Sequence, residues 1–272
     1  MNIIKNINNQ ILSTDKILVP KNNIIMTDLE LWLAPYRSDS YKGTGNQVFD
    51  LSGNNRTSTT QVGPTLAPYW DGVSFGWNTA SVYQYMVSNV VLGNSGVDPT
   101  NYASGFFEDF SMTVWVKFTV STIIYQSPFI WFGPNPSKLF IMDVNDPDSG
   151  GGRMGVWNYW NGGGGIASTL PKNFLGGIAP NGNSDFLIGQ WLEYTFVREY
   201  NTETRHYING EKILVTQTNL GAYLTEPITA GQFWWGGQST FNGRTGSIAI
   251  YSRALTDKQV KYNFNVVKNN YL

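Results

Sequence analysis

Three strands in succession, joined by turns written into the residues themselves, constrain this chain more than any other feature. Trp191-Leu192-Glu193-Tyr194-Thr195-Phe196-Val197-Arg198 puts Leu192, Tyr194 and Phe196 on one side and Glu193 and Thr195 on the other, because successive strand side chains point to opposite faces. A polar turn, Glu199-Tyr200-Asn201-Thr202-Glu203, leads into Thr204-Arg205-His206-Tyr207-Ile208. Asn209-Gly210 then supplies the two positive-φ residues of a type I′ hairpin before Glu211-Lys212-Ile213-Leu214-Val215. Connections this short join only antiparallel neighbours.

The same period recurs upstream in Ser111-Met112-Thr113-Val114-Trp115-Val116-Lys117-Phe118, where Met112, Val114, Val116 and Phe118 share a face and predict a half-buried strand. Shorter strands are expected at 129–132, 139–142, 153–157, 232–235 and 247–251. One helix is expected, near the carboxyl end and about two turns long. Thr256 and Gln259 have the spacing of a capping box there, and Leu255 and Val260 that of a hydrophobic staple. Many short strands without alternating helices predict an all-β, two-sheet antiparallel sandwich and argue against a parallel α/β sheet. Composition agrees: aromatics are 15% of the chain, charged residues only 14%, and 29 glycines provide turns.

Charge and cysteine content narrow the function classes. A net charge of -1 leaves no basic field for nucleic acid or an anionic membrane. With no cysteine there are no disulfides, thiolate metal sites or thiol nucleophiles. Residues 1–10 are too interrupted by asparagine for a signal-peptide core, and no apolar run is long enough for a transmembrane helix. Residues 1–26 are rich in Asn, Ile and Lys and hold no aromatic residue, whereas aromatics are dense from Leu29 onward. That shift predicts an N-terminal arm, 1–26, serving as an attachment segment, followed by one domain, 27–272.

Several segments then occur in a recognisable order. They are Leu31-Trp32-Leu33-Ala34, Asp50-Leu51-Ser52-Gly53-Asn54-Asn55 with Gly63-Pro64, and Phe110-Ser111-Met112-Thr113-Val114-Trp115-Val116. Tyr207-Ile208-Asn209-Gly210 and the closing Gly246-Ser247-Ile248-Ala249-Ile250-Tyr251-Ser252-Arg253-Ala254-Leu255-Thr256 follow. Order and spacing, over about residues 29–264, resemble the laminin-G/concanavalin A-like lectin family, in the versions found in bacteriophage structural proteins. The resemblance implies the jelly-roll form of the sandwich, and it leaves activity open because one fold hosts many functions. The expectation is a non-enzymatic virion component (capsid decoration, fibre or tail) made in the host cytoplasm. Its partners would be other virion proteins held through the arm, further copies of itself in an assembly, and a cell-surface glycan. The alternative is a free carbohydrate-binding module or lectin; a glycoside hydrolase is the third reading.

Hydrolysis needs two carboxylates flanking the scissile bond. The E-x-D-x-E pattern of the jelly-roll glucanases is absent, Glu199 and Glu203 sit in a turn, Glu108-Asp109 precedes a strand, and His206 reads as a surface or partly buried histidine. No catalytic residue is assigned. Binding candidates are aromatic: Trp157, Tyr159 and Trp160, bracketed by the glycine runs 150–152 and 162–165, and Trp235. Core filling is the competing role for each, and of Trp234 and Trp235 at most one is core because neighbours on a strand face opposite ways. Asp143, Asp146 and Asp148 form an oxygen-rich stretch suited to calcium, against the plainer reading of a polar loop turned by Asp146-Pro147. No other cofactor is implied.

Overall fold

The computed structural model describes residues 23–59, 68–77, 109–119, 189–199, 202–213 and 241–272 in full, and elsewhere the backbone of the strands named below. The architecture is a two-sheet antiparallel jelly-roll sandwich with one short C-terminal helix. In the eight-stranded sheet, Glu211–Gln217, Glu203–Ile208, Trp191–Glu199, Phe110–Phe118, Asn242–Tyr251, Phe75–Asn78 and Tyr69–Trp70 lie side by side, and Leu29–Leu33 also pairs with Asn242–Tyr251. The nine-stranded sheet runs Gly163–Gly164, Met154–Trp160, Leu139–Val144, Gln126–Phe132, Gln232–Ser239, Tyr85–Ser88, Ser58–Gln61 and Gln47–Val48, with Ser168–Thr169 beside Met154–Trp160. The expected strands are all present, most of them longer than their apolar runs, because ladder pairing extends beyond the residues that pack.

Alternation along the central strands feeds two cores. Met112, Val114, Val116, Phe118, Leu192, Tyr194 and Phe196 meet Leu31, Leu33, Val48 and Ile250 between the sheets. Trp115, Val197, Tyr207, Ala249 and Tyr251 point the other way and are covered by Ile24, Ile25, Leu255, Val260, Phe264, Val267 and Tyr271. The 110–118 strand is therefore buried on both faces, not half-buried, and Glu193 and Thr195 are each 1% exposed. A layer of chain over the outer face accounts for the difference. That layer includes residues 23–26, the last of the expected arm. Ile25 N donates to Asn263 Oδ1 (2.9 Å), and Tyr262 Oη donates to Asn23 O (3.1 Å).

The helix spans Asp257–Val267, three turns where two were expected. Its start follows the capping box: Gln259 N donates to Thr256 Oγ1 (3.4 Å) and Thr256 N to Gln259 Oε1 (2.9 Å). The third turn is held by tertiary packing, since Val260, Phe264 and Val267 lie at i, i+4 and i+7 and are all buried against the sheet. At the predicted type I′ turn, Asn209 and Gly210 have φ of 52° and 73°. A Cβ on Gly210 would stand 2.8 Å from Phe264 Cβ. Gly210→Ala is accordingly expected to cost about 1–3 kcal/mol from the left-handed backbone alone, with more from the clash. Urea denaturation measures it, and a loss below about 0.5 kcal/mol would contradict the turn geometry.

Candidate functional site

The motif loop after Leu29–Leu33 is structural. The Asp50 carboxylate accepts hydrogen bonds from Trp32 N (2.9 Å), Ser52 N (2.9 Å), Ser52 Oγ (2.7 Å) and Arg56 N (3.1 Å), stitching the loop to its strand. The closing motif is held likewise: Ser111 Oγ donates to Arg253 O and accepts from Leu255 N, each at 2.8 Å. These groups are occupied by the fold.

The carboxylates weighed for catalysis are occupied as well. Glu199 and Glu203 face each other at the end of their hairpin, and both bridge to Arg205 (3.3 and 3.1 Å), which also reaches Asp257 on the helix (3.3 Å). His206 is fully buried between the sheets, not at the surface; its register opposite Phe196 turns it inward. Its Nδ1 lies 2.6 Å from Tyr194 Oη, and burial pushes its pKa down to about 3. Glu193 lies under the helix, its Oε1 accepting from Thr195 Oγ1 (2.9 Å) and its Oε2 without a partner. Burial raises its pKa to about 8, against weaker lowering by Thr195 and Lys261. Glu108 lies outside the described residues. Among the described residues no group of three His, Asp or Glu stands together as a metal site.

All four aromatic candidates fall on the nine-stranded sheet, and the register sorts them by face. Directly paired residues of antiparallel strands lie on the same face. One line runs Val48, Ser58, Ser88, Phe233, Trp131, Phe140, Asn158. Val48 belongs to the core between the sheets and Ser58 is 0% exposed, so this line faces inward. The next line, one residue along each strand, runs Gln47, Thr59, Val87, Trp234, Ile130, Ile141, Trp157. Gln47 is exposed and Thr59 half-buried, so this line faces outward.

By register Trp157 and Tyr159 fall on the line of Gln47 and Thr59 or share its parity, and Trp160 and Trp235 share the parity of Val48 and Ser58; the side chains of all four lie outside the described residues. The four candidates do not share a face. Trp234 joins the outward set, a member that strand parity alone left undecided between the neighbouring tryptophans. Asp143 pairs with Gly155 in the ladder, its side chain lying outside the described residues, as do Asp146 and Asp148 altogether. The outer face of the other sheet is covered by the helix and residues 23–26.

A family model for the concanavalin A-like lectin/glucanases superfamily matches residues 92–261. The chain belongs to that superfamily. No curated protein matches it. Among solved structures, this superfamily member is similar to the receptor binding domain of botulinum neurotoxin C/D mosaic serotype. The TM-score is 0.59 at 13% identity, over 89% of this chain and 52% of that one. The binding domain of Paraclostridial Mosquitocidal Protein 1 gives 0.59 at 18% identity, over 90% and 53%. Domain 4 of AbnA, a GH43 extracellular arabinanase from Geobacillus stearothermophilus in complex with arabinotriose, gives 0.56 at 16% identity, over 87% and 98%. This lectin-like chain spans about half the length of the toxin domains and nearly all of the arabinanase domain. Its fold resembles that of these toxin binding domains and of the arabinanase domain.

Proposed function

We propose that this chain is a non-enzymatic recognition protein that binds carbohydrate on the outer face of its nine-stranded sheet. The observation that carries the reading is the division of features between the two sheets. The helix and residues 23–26 bury the outer face of one sheet, and every aromatic candidate lies in a strand of the other. A similar fold whose bound ligand is arabinotriose, matched over 98% of its length, supports a sugar as ligand class. The test is a glycan array probed with the whole chain, followed by calorimetry on the hits. Saturable binding to defined glycans is expected, with no cleavage products on prolonged incubation. Product release would replace the reading with a hydrolase.

We further propose that the domain is displayed on a bacteriophage particle as a decoration, fibre or tail component and is tied there through residues 1–22. The ordered segments that resemble phage structural proteins support it, as does the isolation of the N-terminal hairpin. Gln10–Leu12 and Leu18–Pro20 pair only with each other among the described strands. Two strands of three residues are marginal alone and gain stability from an outside partner. Mass spectrometry of purified particles, with and without residues 1–22, tests attachment; particles that keep the truncated chain at full occupancy would refute the role of the hairpin.

A further inference from the structure

We propose that one end of the eight-stranded sheet carries a second seat, for an acidic oligosaccharide of uronic or sialic acid type whose rings lie on Tyr69 and Trp191 and whose carboxylate meets Lys117. This seat is separate from the one on the nine-stranded sheet in its residues and in its sugar class.

Five residues form one cross-strand row: Tyr69, Gly76, Arg244, Lys117 and Trp191, each paired directly with the next. Directly paired residues share a face. The face is the outer one, because Trp115, two residues from Lys117, packs under the helix, whereas Val116 belongs to the core between the sheets. The cover over this sheet ends at Tyr271, whose ring lies 4.7 Å from that of Trp191, and the strands run on past it. There Trp191, Lys117 and Arg244 are only half-buried. Tyr69, on the edge strand, is 66% exposed, the most exposed large apolar side chain among the described residues.

Tyr69 is held as a platform. Gly76 puts no side chain between Tyr69 and Arg244, so the guanidinium reaches across and lies over the ring, 5.5 Å from its centroid. Arg244 is fixed in turn by an ion pair with Asp71 and by donating to Ser74 Oγ (3.1 Å). The Asp71 carboxylate accepts from Val73 N (3.1 Å) and Ser74 N (2.8 Å), which anchors the set to its turn. A ring fixed in this way loses little freedom when a ligand stacks on it. Sugar rings suit it because their C–H faces are apolar while their edges carry polar groups.

Lys117 sets the charge of the ligand. It stands directly opposite Arg244, and like charges so placed repel. Asp71 neutralises Arg244, but among the described residues no carboxylate lies within ion-pair distance of Lys117. One uncompensated cation therefore sits in a row that is aromatic at both ends. Four strand spacings separate Tyr69 from Trp191, about 19 Å, a length for a short oligosaccharide and not for one ring. A nucleic acid would bring several phosphates to that length, more charge than one cation offsets. A peptide lying on a sheet face meets side chains alone and leaves its backbone amides unpaired. Sugar hydroxyls instead find Thr119 and Asn242, which lie alongside the row on the same face and are joined at 2.8 Å.

The test probes the whole chain with an array of uronic and sialic acid oligosaccharides beside their methyl esters, followed by calorimetry on the hits. Acidic members should bind, and their esters about tenfold more weakly, since esterification removes the charge and keeps the rings. Lys117→Gln should weaken the acidic hits by about tenfold and Tyr69→Ala by about fivefold. Added salt should weaken wild type more than Lys117→Gln. Lys258→Gln, which removes an equal charge from the exposed side of the helix, should leave affinity unchanged. Both row variants should melt with wild type, because neither side chain belongs to a core, and should keep any binding of neutral glycans. Acidic hits bound equally by wild type, Lys117→Gln and Tyr69→Ala, or an acidic array without hits, would overturn this seat, and persisting neutral hits would leave the other sheet's reading standing. Displacement of the acidic glycan by an aspartate-rich peptide or by single-stranded DNA at equal affinity would overturn the sugar as occupant. Loss of neutral hits alone would sink the reading on the nine-stranded sheet and spare this one.

Discussion

Tyr271→Ala is expected to destabilise the protein by about 3–5 kcal/mol, the cost of emptying a large buried aromatic site. Tyr271 is the last but one residue of the chain, yet it is buried under the outer core. Its ring stacks on Trp115 at 4.8 Å, lies 4.7 Å from Trp191 and meets Tyr36 edge-on at 5.8 Å. Beneath it, Gly246 leaves the space the ring needs, since a Cβ there would approach Tyr271 Cζ to 2.5 Å. Losing the ring opens a void against Trp115, which also stacks on Phe264 of the helix at 5.8 Å. Thermal melting should fall by roughly 10 °C, and the near-UV circular dichroism of the indole stack should weaken. Gly246→Ala should act in the same direction by displacing the ring, while Leu272→Ala, at 65% exposed, should stay within about 0.5 kcal/mol of wild type. A Tyr271→Ala protein within about 1 kcal/mol of wild type would show that the C-terminal cover contributes little.

Stability should be level between about pH 4.5 and 6.5 and fall on both sides, from two buried groups of opposite sign. The Glu193 carboxyl is raised by burial from 4.5 to about 8, so its contribution is complete below pH 4.5 and is lost as pH climbs towards 8. His206 is lowered by burial from 6.5 to about 3, so its contribution is complete above pH 6.5 and is lost as pH drops towards 3. Each limb has a slope of about 1.4 kcal/mol per pH unit, and the two cancel where they overlap. Glu193→Gln should remove the alkaline limb, leaving stability that rises from pH 4.5 to 6.5 and then holds. His206→Gln should do the reverse, with stability rising all the way from pH 8 down to 4.5. Asp39, held low by its hydrogen bond from Arg37, adds a loss only below about pH 3.8 and does not blur the window. Chemical denaturation at half-unit pH steps reads these slopes; an alkaline limb that persists in Glu193→Gln would place its origin elsewhere.

Local chemistry was legible wherever one residue type or one short spacing settles it. Asn209-Gly210 tolerates the positive φ that a type I′ turn requires, and Thr256 with Gln259 closes a capping box whatever packs above it. The Asp50 loop was visible as a pattern, but its role as a hydrogen-bonded stitch was not, because its donors Trp32 and Arg56 come from either side of it in the chain. Glu193 and Thr195 were read correctly as opposite in face to Leu192 and Tyr194. Their burial was hidden because polar residues on a strand ordinarily mark solvent, and here the covering helix arrives from residues 257–267. The full burial of His206, expected at the surface or partly buried, was hidden for a related reason: inward pleat is a property of its pairing with Phe196, not of its neighbours in sequence.

The candidate site shows the division most clearly. Period-two alternation by itself determined that Trp234 and Trp235 must part to opposite faces, and that Trp157 and Tyr159 must keep together while Trp160 leaves them. Which face is the inner one is a single binary choice for the whole sheet, and alternation carries no information about it. Tertiary structure made that choice through a ladder of pairings ending at Val48 and Ser58, the one buried between the sheets and the other fully enclosed beside it. Strand parity is local because it follows from the geometry of one extended chain. Its sign is global, because it is set by what the sheet as a whole packs against.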